Sequence, residues 1–262
     1  MDALLDTFFD WEYIARVLPD LLTTGLINTL ILAVCSALLG TVFGLILAVL
    51  GLARTRWLRW PARVYTDIFR GLPAILTILL IGQGLAQLVR PIVGTNPYPL
   101  GILALSLIAA AYLGETFRSG IQSVEKGQLE ASRALGMSHP KAMRLVVIPQ
   151  GIRRVLPATV NQFISLVKDS SLVYFLGLLA DQRELFRIGQ DLAANTGNLS
   201  PLVAAGMCYL VITVPLTHLV NHIDRRLRTG RRVAGGEHDD PIDAEPDAGN
   251  AGALASGQPR GA

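Results

Sequence analysis

From Leu21 to Ala53 the chain runs for 33 residues without an Asp, Glu, Lys or Arg. Further uncharged runs cover Gly71–Val89, Pro91–Gly114 and Leu192–Ile223. Each reaches the roughly 18 apolar residues that mark a membrane-span candidate. Composition agrees: 51% of residues are hydrophobic, 16% are charged and mean hydropathy is +0.45. A soluble domain carries about 25% charged residues, so a soluble enzyme is excluded.

The runs predict an all-α membrane protein with spans near Leu26–Leu52, Gly71–Val89, Tyr98–Gly114 and Pro201–Ile223. A fifth, Val155–Ala180, is interrupted by Lys168 and Asp169. Backbone in lipid must satisfy its own hydrogen bonds, and the runs lack the alternation of barrel strands. Five spans place the termini on opposite sides. Basic residues gather in three segments: Arg54–Arg70, Arg118–Arg154 and the stretch after Ile223. Together these hold 18 of the 23 Lys and Arg. That asymmetry predicts an external N-terminus and a cytoplasmic C-terminus. The excess of basic residues therefore marks sidedness, not nucleic acid.

Residues 1–20 are acidic and unlike a signal peptide, and are expected to be an external segment. Residues 21–225 form the membrane domain, with a cytoplasmic loop at 118–154. Residues 226–262 form a basic, then Gly/Ala/Asp/Pro-rich tail that cannot bury enough surface to order itself. Cys35 and Cys208 lie inside apolar runs and act as small hydrophobes. His218 and His222 share a helix face but only Asp224 is near them, so no metal is expected. Ser36, Gly40, Gly44 and Ala48 form a stripe that serves either packing within the subunit or a dimer seam.

The loop has internal order. Glu130-Ala131-Ser132-Arg133-Ala134-Leu135 favours a short helix stopped at Gly136, where a left-handed cap is cheap. Glu130 is expected to head that helix, where negative charge suits the dipole. Ser138-His139-Pro140 begins a second helical piece, and Leu145–Ile148 ends at Pro149. Long structured loops are usually functional.

These residues resemble the permease subunits of ABC importers, whose cytoplasmic pattern is Glu-Ala-Ala, three residues, Gly, nine residues, Ile, one residue, Leu-Pro. The chain has Glu130-Ala131-Ser132, Gly136, Val146 and Ile148-Pro149 at that spacing. Flanking motifs are similar to the polar amino acid branch: Arg70-Gly71-Leu72-Pro73, Ala111–Arg118, Gly127-Gln128, Pro149-Gln150, Asn161-Gln162-Phe163 and Lys168–Leu172. Leu72 and Ser170 stand where that branch has threonines.

The resemblance covers about residues 20–225 and implies the type I importer permease (MetI-like) fold in a bacterial inner membrane. It implies a second permease, identical or paralogous, and two cytoplasmic ATPase subunits. It also implies an external binding protein that delivers a polar L-amino acid. Coupling to the ATPase would pass through residues 129–137, with Glu130, Ala131, Ser132, Leu135, Gly136 and Met137 at the contact. The chain is not itself an enzyme: with no Gly-Lys dipeptide it has no P-loop, so ATP and magnesium belong to the ATPase.

Charges at mid-membrane usually face a cavity or a partner. The expected substrate pathway is Glu115, Asn161, Lys168, Asp169 and Ser170. Asp169 would receive an ammonium group while Lys168 pairs with Glu115, or both fix a bend. Arg70 and Pro73 set the entry turn of the second span, and Pro149 closes the loop. Asp181–Gln190 reads equally as a docking surface or a solvated loop. The alternative function is an ion-coupled secondary transporter relaying protons or ions through Lys168 and Asp169. The lack of inverted halves argues against it.

Overall fold

The computed structural model describes residues 2–234, with side chains placed for residues 4–227; most of the tail expected at 226–262 lies outside the described residues. All regular structure among the described residues is helical. The N-terminal segment expected over residues 1–20 forms two helices, α1 (Asp2–Phe8) and α2 (Trp11–Asp20). The Asp10 side chain accepts from the Glu12 amide to cap α2. Ile14, Val17 and Leu21 recur at helical spacing and are all buried. A π turn at Leu21–Gly25 leads into α3 (Leu26–Leu52), so helix runs nearly unbroken from Leu4 to Leu52.

α4 (Arg56–Gly71) and α5 (Ala74–Gly84) meet at a 108° bend. The cause is Leu72-Pro73: proline forces its predecessor to be extended and has no N–H to continue the helix. Leu72 has ψ 142° and Pro73 ψ 135°. The second span expected over Gly71–Val89 begins at this turn and is interrupted at Leu85, which separates α5, of 11 residues, from α6 (Ala86–Val93). α7 (Tyr98–Gln122) starts where the Asn96 side chain accepts from the Tyr98 amide.

α8 (Lys126–Ala134) and α9 (His139–Ala142) form the loop. After a π turn at Met143–Val147, α10 runs from Ile148 to Asp169. The fifth expected span, Val155–Ala180, therefore begins seven residues earlier as helix. It gives way to a 3-10 segment, Ser170–Leu176, ended by Gly177 at φ +75°. α11 (Leu185–Thr196) and α12 (Ser200–Ala234) complete the chain. Three helical stretches among the described residues are long and apolar enough to cross a membrane: Leu4–Leu52, Tyr98–Gln122 and Ser200–Leu227. The bent α4–α5 pair makes a fourth if counted as one.

α3 and α7 lie side by side in the same direction. The Ser36 hydroxyl donates to the Ile102 carbonyl, and Tyr98 donates to the Asn28 carbonyl. A Cβ on Gly40 would sit 2.7 Å from the Ala109 Cβ, and one on Gly44 3.0 Å from the Gly114 amide. The small-residue stripe thus serves packing within the subunit; its members are buried against α7. α10 returns antiparallel to α7: Gly151 and Val155 abut Gly120, while Val173 abuts Gly101. The larger core lies among α3, α5, α7, α10 and the 3-10 segment. A second core joins α2, α11 and α12, where Cys208 is buried; Cys35 is half-buried.

Candidate functional site

The loop between α7 and α10 is a rigid projection. α8 begins at Lys126 because Glu125 is extended, with ψ 134°. Glu130 is therefore not at its head but five residues in, exposed on its surface, which corrects the expected capping role. At the other end the Gly136 amide donates to the Arg133 carbonyl at 3.0 Å. The Met137 amide donates to the Ser132 carbonyl at 3.2 Å. This closure requires the left-handed φ of +86° at Gly136. A Cβ there would meet nothing within 4 Å, so backbone conformation alone demands glycine.

The projection is held from beneath. Ser132 is buried and donates to the Gln128 carbonyl. Gln150 donates to the Gln128 side chain, and Arg154 donates to the Ser123 carbonyl. Ala142 at the end of α9 and Val147 in the π turn that packs on α8 and α9 are buried. Glu130, Ala131, Arg133 and Leu135 face outward, with Leu135 82% exposed. An apolar side chain held in the open on a fixed turn suits a partner's cleft. Pro149 stands in the first turn of α10, where its missing N–H costs little.

The expected pathway residues separate. Lys168 and Asn161 are exposed and Asp169 is half-buried at the end of α10, where helix changes to 3-10. Ser170 is fully buried and donates to the Val167 carbonyl, so it faces the subunit interior, not an open surface. Glu115 does not pair with Lys168. Arg118, one turn along α7, holds its carboxylate through two bonds of 2.9 and 2.5 Å. The same helix face supplies a nearer, forked partner. Arg118 and Glu115 line a cavity of about 310 Å³ with Arg63, Thr66, Asp67 and Arg70. Arg70 sits 5.5 Å above the Tyr112 ring, anchoring the α4–α5 turn on α7. Arg70, Glu115 and Arg118 are legible in the sequence, but their meeting with Arg63 and Asp67 depends on how α4 crosses α7.

Glu184 lies in a mixed-charge stretch that gives it no signal in the sequence. It is fully buried, yet its oxygens accept from the Phe186 and Arg187 amides and the Tyr209 hydroxyl. Burial pushes its carboxyl up to about 7 against those donors and Arg187. The residue caps α11 and ties it to α12. The adjoining Leu185 amide donates to Thr29 on α3. The segment Asp181–Gln190 is thus neither a free docking surface nor a solvated loop throughout. Leu185, Ile188 and Gly189 are buried, Asn28 holds the Asp181 and Arg183 carbonyls, and Arg187 pairs with Asp191.

A family profile described as "Binding-protein-dependent transport system inner membrane component" matches residues 40–229. The chain is similar to an arginine transport system permease protein, ArtQ, of Bacillus subtilis. The two are 36% identical over 205 residues, 78% of this chain and 91% of the relative. It is similar to a glutamate/aspartate import permease protein, GltK, of Escherichia coli, at 36% identity over 224 residues, 83% of this chain and 98% of the relative. Among solved structures, an amino acid ABC transporter crystallised with histidines matches at TM-score 0.71 and 32% identity. That match covers 81% of this chain and 96% of the other. The MetNI methionine ABC transporter in an inward-facing form matches at TM-score 0.63 and 25% identity, covering 80% and 95%.

Proposed function

The chain belongs to the binding-protein-dependent transport system inner membrane component family, and from that premise we propose how it works as a multi-pass permease of an amino acid ABC importer. Its cargo is the polar L-amino acids, and it forms the translocation path by alternating access. Two such permeases, identical or paralogous, pair in the membrane; an external binding protein delivers the amino acid to them. Two cytoplasmic ATPase subunits bind the ATP and magnesium and drive the cycle.

Five crossings fit the fold: α3, α5 continued by α6, α7, α10 with its 3-10 extension, and α12. α10 has 22 residues, about 33 Å of helix, enough to cross the hydrocarbon despite its charges. The N-terminus is outside. This sidedness is supported by the basic residues at matching ends of α3 and α7, where Gly51 abuts the Arg118 side chain.

The single observation that carries the coupling role is the Gly136 closure, which presents Leu135 and Glu130 on a braced projection. Leu135 and Met137 enter an ATPase cleft, and Glu130 meets a donor at its edge. Asn161, Lys168 and Asp169 face the path between the paired permeases, with Asp169 receiving the ammonium group. Ser170 positions them from behind. The test is co-purification of the ATPase subunit with the full-length permease. Wild type is expected to retain it and Leu135→Glu to lose it while keeping its own elution position. Equal retention by both would contradict the coupling surface.

A further inference from the structure

We propose that α4 is an interfacial helix that binds the headgroups of anionic phospholipids. α4 lies 108° from α5, so if α5 crosses the membrane, α4 lies near its plane. Its buried face, carrying Ala62 and Thr66, packs on the subunit, and Tyr65 donates to the Leu107 carbonyl of α7. The remaining faces divide sharply. Arg56, Arg59 and Arg63, spaced three and four residues apart, form one row. Trp57 and Trp60 form the next row, 87% and 69% exposed.

These five residues line a groove of about 700 Å³. No acidic residue occurs between Arg54 and Arg63. Among the described residues Arg56 and Arg59 have no ion-pair partner, while Arg63 also borders the cavity that holds Glu115 and Asp67. Guanidinium forks match phosphate oxygens, and indoles settle at the boundary between headgroup and acyl chain. Arginines beside exposed indoles therefore fit an anionic lipid better than an acidic protein groove, which would leave the tryptophans in water. The inference rests on the cytoplasmic placement of α4, where the leaflet is negatively charged.

Fluorescence quenching by brominated lipid tests it. The chain has three tryptophans, so Trp11→Phe leaves emission from α4 alone. The full-length protein is reconstituted in phosphatidylcholine bilayers containing phosphatidylglycerol, with bromine on one lipid or the other. Quenching is expected to favour brominated phosphatidylglycerol, and each arginine neutralised to glutamine lowers that preference about fivefold. Replacement by lysine, which keeps the charge, is expected to retain most of it. Equal quenching by both lipids in the Trp11→Phe protein would overturn the proposal. So would an absence of quenching, which would mean that another protein surface covers the indoles. A cysteine at Thr55 labelled only from the cytoplasmic side keeps failure of the sidedness separate from failure of lipid binding.

Discussion

The Met137 amide donates to the Ser132 carbonyl at 3.2 Å, six residues closing on one through the left-handed turn at Gly136. This bond fixes the angle at which Leu135 leaves α8. It also gives the Glu-Ala-Ser…Gly spacing a physical meaning, because the conformation of the turn demands the glycine while the surrounding space does not.

A side chain at Gly136 costs about 1–2 kcal/mol in left-handed backbone, and more if β-branched. Gly136→Val is expected to insert and elute normally, since nothing lies within 4 Å of a new Cβ. In the reconstituted complex, ATP hydrolysis would continue with uptake reduced at least tenfold. Gly136→Asn, which tolerates the conformation, would keep most of the coupling. Matched uptake and hydrolysis in the valine variant would contradict the role of the turn.

Gly40 makes the opposite case. Its φ is ordinary, but a Cβ would come within 2.7 Å of Ala109. Neither backbone can give way easily, so Gly40→Val is expected to cost about 1–3 kcal/mol through overpacking. Thermal unfolding in detergent checks this, with Gly71→Ala as control because nothing lies within 4 Å there. A Tm for Gly40→Val equal to wild type would contradict the close α3–α7 approach.

Glu184 makes stability depend on pH. Its carboxyl ionises near 4.5 when unfolded and near 7 when buried. A raised acid contributes its full stability below about 4.5 and loses it as pH rises through about 7. The wild-type Tm is therefore expected to fall between about pH 4.5 and 7, and Glu184→Gln to flatten that fall. Identical profiles would show that the carboxylate is not held in the buried site between α11 and α12.

The sequence made α3, α7 and α12 legible because uncharged runs of that length have few other solutions. Within the second span Pro73 marked the entry turn, but the interruption at Leu85 between α5 and α6 lies inside an uncharged run, where composition gives no sign. α10 starts earlier than expected because Arg153 and Arg154 sit in its first turns and look like loop. The helical N-terminus was signalled by Ile14, Val17 and Leu21, but Asp10, Glu12 and Asp20 around them obscured the pattern. Arg118 as the partner of Glu115 was available from their spacing of three; the competing pair with Lys168 ignored how nearby it was. Glu184 could not be found, since its meaning depends on Tyr209, 25 residues away.

ATP-driven uptake of labelled amino acids tests the central claim most directly. The permease would be reconstituted with its ATPase and binding protein and offered a panel of polar and apolar L-amino acids. The account predicts accumulation of a polar amino acid that requires ATP and ignores an imposed ion gradient. It predicts that Asp169→Asn weakens apparent affinity about tenfold or more while the complex stays assembled, as expected for a lost charge-assisted contact. Uptake that survives ATP depletion and follows a proton or sodium gradient would contradict it.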